Sequence, residues 1–240
     1  MKGAEGMSRL EEHVDRVRVF GERPEAAERM APGFFDPSFE AESLARYEWA
    51  ARWVKGRAVL DASCGTGYGA SILREAGARR VVSLDVSRDA LRFGFPRYHL
   101  VPVCGDAHRI PVATGTCDTV VSIETIEHLT DPLAFTRELW RVLRPGGELL
   151  LTTPNAARSK GSNPYHLHEM TIDELERLLK ETGFLSRGVW GQHWGLNRSL
   201  WHRIKGPRRI LFEIERTPAV VAWAWTGLKP TYWCVRAIRV

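Results

Sequence analysis

Short apolar runs alternate along this chain with segments whose apolar positions recur at helical spacing. Between residues 38 and 54, Phe39, Leu44, Tyr47, Trp49 and Trp53 recur at roughly helical intervals and predict a helix. Beyond it the pattern predicts strand 57–62, helix 68–77, strand 80–85, helix 87–93, strand 99–104 and strand 117–124. Helix 132–143, strand 147–153, a helix opening at Thr171, and strands 184–192 and 232–240 complete the series. Strands alternating with helices predict right-handed crossovers and an α/β fold with a parallel sheet.

Local signals sharpen several boundaries. Asp131-Pro132 places a capping acid before a proline at the first helical position. Pro145-Gly146-Gly147 punctuates the chain before the fifth strand. Thr171 and Glu174 have the spacing of a capping box, with Gly183 beyond the stripe of Leu175, Leu178 and Leu179. Residues 1–37 read as an irregular lead-in punctuated by Pro24, Pro32 and Pro37, with helical potential from Glu22 to Met30. The segment 38–240 reads as one domain, with an insertion at about 193–230 between the last two strands.

Composition narrows the class. At 240 residues, 44% apolar and 26% charged, the chain has enough material for one α/β domain. No run approaches the ~18–20 apolar residues of a membrane span, and the start lacks a signal-peptide core. Cys64, Cys104, Cys117 and Cys234 form no C-x-x-C pair, which suits reduced thiols and a cytoplasmic location. The net charge of +5 is spread thinly, with one cluster at Arg203, Lys205, Arg208 and Arg209. A solvated basic surface accounts for it more simply than a nucleic-acid groove. The insertion also holds Trp194, Trp201, Trp223 and Trp225. A helix at 220–225 packed on the body is the first reading, and peripheral membrane contact the second.

Candidate chemistry begins at Asp61-Ala62-Ser63-Cys64-Gly65-Thr66-Gly67-Tyr68-Gly69, a buried strand running into a glycine-rich turn and then a helix. Small residues let the backbone approach a ligand, and the helix adds free N–H groups and the positive end of its dipole. About 20 residues on, Asp85 ends the next apolar run, where a carboxylate suits the two hydroxyls of a ribose. The third run ends in Gly105-Asp106-Ala107, an acid and a small residue suited to an adenine edge.

Together with Cys117–Glu124 and Arg144–Asn155, these motifs resemble the class I S-adenosylmethionine-dependent methyltransferases, from about Arg46 to Phe184 and again in the last ten residues. The resemblance implies a Rossmann-like sheet of seven mostly parallel strands, with helices on both faces and an antiparallel last strand beside the sixth. It also implies S-adenosyl-L-methionine as the methyl donor. Asp61, Gly65 and Gly67 would serve the donor's amino-acid end, Asp85 its ribose, and Asp106 and Ala107 its adenine. Ser63, Cys64, Val86 and Ile123 complete the expected donor-binding set.

A second constellation faces the same strand ends. Glu124-Thr125-Ile126-Glu127-His128 follows the fourth strand, and Asn163-Pro164-Tyr165-His166-Leu167-His168-Glu169 follows the fifth. Glu124, Glu127, His128 and His166 form a candidate divalent site for Mg²⁺ or Mn²⁺, with Glu124 and Glu127 on one face if their segment is helical. The quartet is similar to that of metal-dependent RNA 3′-terminal 2′-O-methyltransferases, although Leu129 and Met170 depart from that pattern. Without a metal, His128, His166 or Glu124 is a candidate base for a hydroxyl acceptor.

Glu42-x-x-x-Arg46-Tyr47 and the Asn-Pro-Tyr-His segment also resemble methyltransferases encoded beside glycosyltransferases. That likeness implies O-methylation of a sugar, glycan or other small-molecule hydroxyl. RNA methylation is the alternative within enzymes, and a non-catalytic donor-binding subunit the alternative outside them. An NAD-dependent oxidoreductase would keep the glycine turn and Asp85, but no hydride-transfer acid or lysine–tyrosine pair stands out.

Overall fold

The computed structural model describes residues 30–33, 37–192, 211–214 and 230–240. In chain order its elements are α1 (Pro37–Ala51), β1 (Ala58–Ala62), α2 (Tyr68–Glu75), β2 (Arg80–Asp85), α3 (Arg88–Tyr98), β3 (Pro102–Cys104) and β4 (Cys117–Ile123). They continue with a 3-10 turn (Ile126–His128), α4 (Pro132–Val142), β5 (Leu143–Pro154), α5 (Ala156–Ser159), α6 (Ile172–Glu181), β6 (Phe184–Gln192), β7 (Leu211–Ile214) and β8 (Tyr232–Arg239). The strands form one sheet in the order β3-β2-β1-β4-β5-β8-β6-β7. β1, β2, β3, β4 and β5 pair in parallel, and β8 runs antiparallel between β5 and β6.

Period-two alternation divides the strand residues between two cores. Leu60, Leu84, Val120, Leu149 and Leu151 pack with Phe135, Leu139, Leu175 and Leu179 of α4 and α6. Their neighbours Val59, Val81, Val121 and Leu150 pack with Trp49, Ala50, Ala70, Leu73 and Leu91 of α1, α2 and α3. Both faces are therefore covered, and the chain chemistry is left to the strand ends.

The expected caps form. Asp131 accepts from the N–H of Ala134 at 2.9 Å, with Pro132 in the first turn. Thr171 and Glu174 make a reciprocal capping box.

Several boundaries differ from the sequence expectation, the lead-in helix, for one, ending at Ala51 rather than 54. The helix expected to stop at 93 continues to Tyr98 through Gly94 and Pro96. Gly94 is there for contact rather than for flexibility: a Cβ on it would lie 1.8 Å from the carbonyl oxygen of Thr66. The longer helix delays the third strand to Pro102. Strand β5 starts at Leu143, where it pairs with Cys117 before a register shift, rather than at 147. The seven expected strands are joined by an eighth, since Leu211–Ile214 of the insertion pairs antiparallel with the outer edge of β6. The potential helices at 22–30 and 220–225, the four tryptophans of the insertion and its basic cluster lie outside the described residues, apart from Met30.

Candidate functional site

Strand β1 lies between β2 and β4, with Asp61 opposite Ser83 on one side and Val121 on the other. Beyond it Ser63, Gly65 and Gly67 adopt left-handed backbones, with φ of 62, 57 and 80°. At Gly65 an added Cβ would meet nothing within 4 Å, so the loop leaves open room there. The loop is fastened from below: the N–H of Cys64 donates to the carbonyl of Leu84 at 2.8 Å, and that of Gly67 to the carbonyl of Cys64 at 2.9 Å.

Asp85 is pinned in the same way. The N–H of Gly65 donates to its Oδ2 and the N–H of Ser87 to its Oδ1, both at 2.8 Å. A carboxylate oxygen carries two lone pairs and can accept more than one hydrogen bond. Val86, the next residue, is 67% exposed. Asp106 accepts at 2.8 Å from both the backbone N–H and the imidazole Nδ1 of His108, which holds its carboxyl below the usual range. Ala107 and Ile123 are buried.

Helix α1 contributes two adjacent side chains to this region. The Tyr47 hydroxyl donates to Asp61 Oδ1 at 3.1 Å, while the buried Oδ2 has no hydrogen-bond partner. Burial pushes the Asp61 carboxyl up to about 7, partly offset by the Tyr47 bond and reinforced by the Asp85 charge. Arg46, fully buried, forms an ion pair with Glu124. It also donates to Gln192 Oε1 at 2.8 Å and Ser43 Oγ at 3.0 Å, and its guanidinium lies 4.3 Å from the Tyr232 ring centroid. Glu124 itself has φ of 48°, an uncommon backbone for a residue with a side chain. Burial pushes neighbouring Glu42 up to about 7, with Arg46 opposing and Glu124 adding.

The two segments of the second constellation meet. The N–H groups of Leu167 and His168 both donate to the carbonyl of Glu127, at 2.8 and 3.2 Å. Glu127, His128 and His166 place one ligand atom each within 4.8 Å of one another. Glu127 is fully buried; its Oε2 accepts from Thr153 Oγ1 at 3.1 Å, and its Oε1 has no partner. Burial and the Glu124 charge hold its carboxyl well above the usual range. His128 Nδ1 lies 3.1 Å from the Tyr165 carbonyl. His166 Nδ1 lies 2.5 Å from Glu169 Oε1, its Nε2 lies 2.9 Å from Asn163 Nδ2, and Glu169 also accepts from Ser159.

The expected quartet is therefore divided. Glu124 is turned onto Arg46 and lies outside the Glu127–His128–His166 group. The three-residue spacing implies a common face only on a helix, and here a left-handed residue precedes a 3-10 turn.

Comparison with known proteins decides the family. Over 208 residues the chain is 33% identical to a protein of Mycolicibacterium smegmatis named as a probable S-adenosylmethionine-dependent methyltransferase, covering 83% of this chain and 80% of that one. This chain belongs to the class I S-adenosylmethionine-dependent methyltransferases. Residues 60–151 match the methyltransferase domain family. A Mycobacterium tuberculosis protein of the same description is 36% identical over 183 residues, 74% of this methyltransferase and 66% of the relative. Among solved structures, a SAM-dependent methyltransferase of Thermotoga maritima, named as a possible histamine N-methyltransferase, superposes with a TM-score of 0.66 at 15% identity. That match covers 85% of this chain and 91% of the other, and it speaks for the fold.

The residues of the methyltransferase fit its donor. The buried, unpartnered Asp61 Oδ2 is suited to an ammonium, and the open space over Gly65 is one that any Cβ would fill. Three pairings escaped the sequence reading, although Arg46 and Glu169 themselves stand in its motifs. Glu169 holds His166, Arg46 holds Glu124, and His108 holds Asp106. Spacing alone offered a signal for the first, because Glu169 stands three residues after His166.

Proposed function

We propose that this methyltransferase O-methylates a hydroxyl of a sugar, glycan or other small molecule, with His166 as the base. The observation that carries this reading is the His166–Glu169 contact at 2.5 Å, beside the ends of β4 and β5. A buried carboxylate on Nδ1 fixes the ring and stabilises the imidazolium formed as Nε2 takes the hydroxyl proton. Asn163, at 2.9 Å from Nε2, yields that nitrogen to the acceptor. Glu124, committed to Arg46, is the weaker candidate base.

S-Adenosyl-L-methionine supplies a methyl group already activated on a sulfonium, so alignment is most of the protein's task. Asp61 takes the ammonium of its amino-acid end, with Ser63, Cys64, Gly65 and Gly67 as the loop around it. Asp85 takes the ribose hydroxyls, Val86 and Ile123 flank the base, and Asp106 with Ala107 meets the adenine edge. Asp85→Ala abolishes binding of S-adenosylhomocysteine, whereas His166→Ala spares binding and loses turnover. Equal loss of binding in both variants overturns this division of roles. Methyl-labelled donor incubated with fractionated extract identifies the acceptor: label in small-molecule or glycan fractions supports the reading.

One observation favours a second reading. Glu127, His128 and His166 converge, and the unpartnered, fully buried Glu127 Oε1 suits a cation such as Mg²⁺ or Mn²⁺. Calorimetric titration of the protein with Mn²⁺ tests it, with loss of binding in Glu127→Gln. Metal binding together with label in alkali-stable RNA termini would replace the base mechanism with metal-dependent RNA 2′-O-methylation.

A further inference from the structure

The run Gly65-x-Gly67-x-Gly69 contains one glycine that the turn does not require. Gly65 and Gly67 have positive φ, whereas Gly69 lies inside α2 and does not. A Cβ on Gly69 would lie 2.0, 2.1 and 2.4 Å from Cε1, Cζ and Cδ1 of Tyr47. These are distances at which the ring would have to leave its place. The ring is otherwise well seated: it is buried and meets Tyr68 edge-on with centroids 5.1 Å apart. Its hydroxyl reaches Asp61 Oδ1, and Asp61 Oδ2 remains buried without a partner.

We propose that Tyr47 is a positioning residue for donor binding, fixing Asp61 so that Oδ2 receives the donor's ammonium, and that Gly69 admits its ring. The inference rests on the assignment of Asp61 to the amino-acid end of the donor. It makes α1 a built part of the donor site rather than packing beside it. The groups facing Asp61 are Tyr47 from α1, Tyr68 from α2, Cys64 from the loop and Asp85 from β2. Among them the Tyr47 hydroxyl donates a hydrogen bond that favours the ionised acid, while burial and Asp85 oppose ionisation. Removing that hydroxyl raises the pH at which Asp61 becomes able to hold a cation.

The experiment is calorimetric titration of the full chain with S-adenosylhomocysteine from pH 6 to 9. Tyr47→Phe keeps the ring, so its melting temperature without ligand falls by only a few degrees, the scale of one lost buried hydrogen bond. Its affinity at pH 7 falls about tenfold, the scale of one hydrogen bond to a charged group, and the midpoint of its pH profile moves upward. Gly69→Ala displaces the ring and weakens binding. Combining it with Tyr47→Ala removes the collision, so the double variant loses less stability than the sum of the single changes, and it does not regain wild-type affinity. Unchanged affinity and an unchanged midpoint in Tyr47→Phe overturn the proposal. Full affinity in Asp61→Asn overturns instead the Asp61 assignment beneath it.

Discussion

Arg46 closes on Glu124 across the top of the sheet, joining the lead-in helix α1 to the end of β4. The guanidinium is fully buried and the carboxylate side chain only 25% exposed, so neither charge is well served by water. Opening such a pair from one side leaves an uncompensated charge, which costs about 3–5 kcal/mol. Arg46→Gln is therefore expected to lower the melting temperature by on the order of 10 °C. Pairing Arg46→Met with Glu124→Gln removes both charges and should cost clearly less than the sum of the single changes. Additive losses in thermal denaturation would mean that the two side chains do not couple.

Two glycines near the donor loop should respond in opposite ways. At Gly94 a Cβ meets a backbone carbonyl at 1.8 Å, and backbone cannot step aside cheaply. Gly94→Ala is expected to destabilise the fold by several kcal/mol, within the ~1–3 kcal/mol of ordinary overpacking or above it. Gly65 has open space but φ of 57°, so Gly65→Ala costs only about 1 kcal/mol of backbone strain. Its effect falls on the ligand, because the new methyl group enters the room left over the loop. Thermal melts with and without S-adenosylhomocysteine separate the two. Gly65→Ala should melt near wild type and lose most of the ligand-induced shift.

Buried carboxyls give stability an unusual pH slope. Asp61 and Glu42 titrate at about 7 in the folded chain, against roughly 4 when unfolded. Between those values the folded state binds more protons, so stability is greatest below about pH 4 for these groups and falls as pH rises through 7. The ligand-free protein is expected to melt higher at pH 5.5 than at pH 8. Donor-site occupancy should work against this trend, because an ammonium favours ionised Asp61. The increase in melting temperature from S-adenosylhomocysteine should be larger at pH 8 than at pH 6. A ligand-free melting temperature that rises from pH 5.5 to 8 would contradict the burial-driven shift of both acids.

Much of this arrangement was legible because it is local. Alternating apolar positions located the strands, Asp131-Pro132 and Thr171 with Glu174 located two helix starts, and the glycine run located the left-handed turn after β1. What was not legible depends on long-range contact. Gly94 and Pro96 resemble helix breakers until the carbonyl of Thr66 is seen to require the glycine. Glu124 and Glu127 share a face only if the chain between them is helical, and the left-handed Glu124 backbone sends them apart. Arg46 reveals nothing of its partner, since that ion pair joins elements distant in sequence. Short strand β7 lies within an insertion whose pairing partner, the edge of β6, is defined only by the assembled sheet.

Glu169 contacts His166 at 2.5 Å and is almost wholly shielded, with its side chain 5% exposed. It acts through the histidine, so its loss should appear in turnover and leave donor affinity intact. Glu169→Gln keeps the shape but removes the charge that stabilises the imidazolium. Rates are expected to fall about 10²–10⁴-fold, the range attributed to a positioned general base. Under the cation reading the same substitution weakens a ligand's support and should reduce Mn²⁺ affinity about 10–100-fold. Measuring rate, S-adenosylhomocysteine affinity and Mn²⁺ titration on this one variant separates the two chemistries: lost turnover with donor affinity intact and no metal binding assigns His166 as the base.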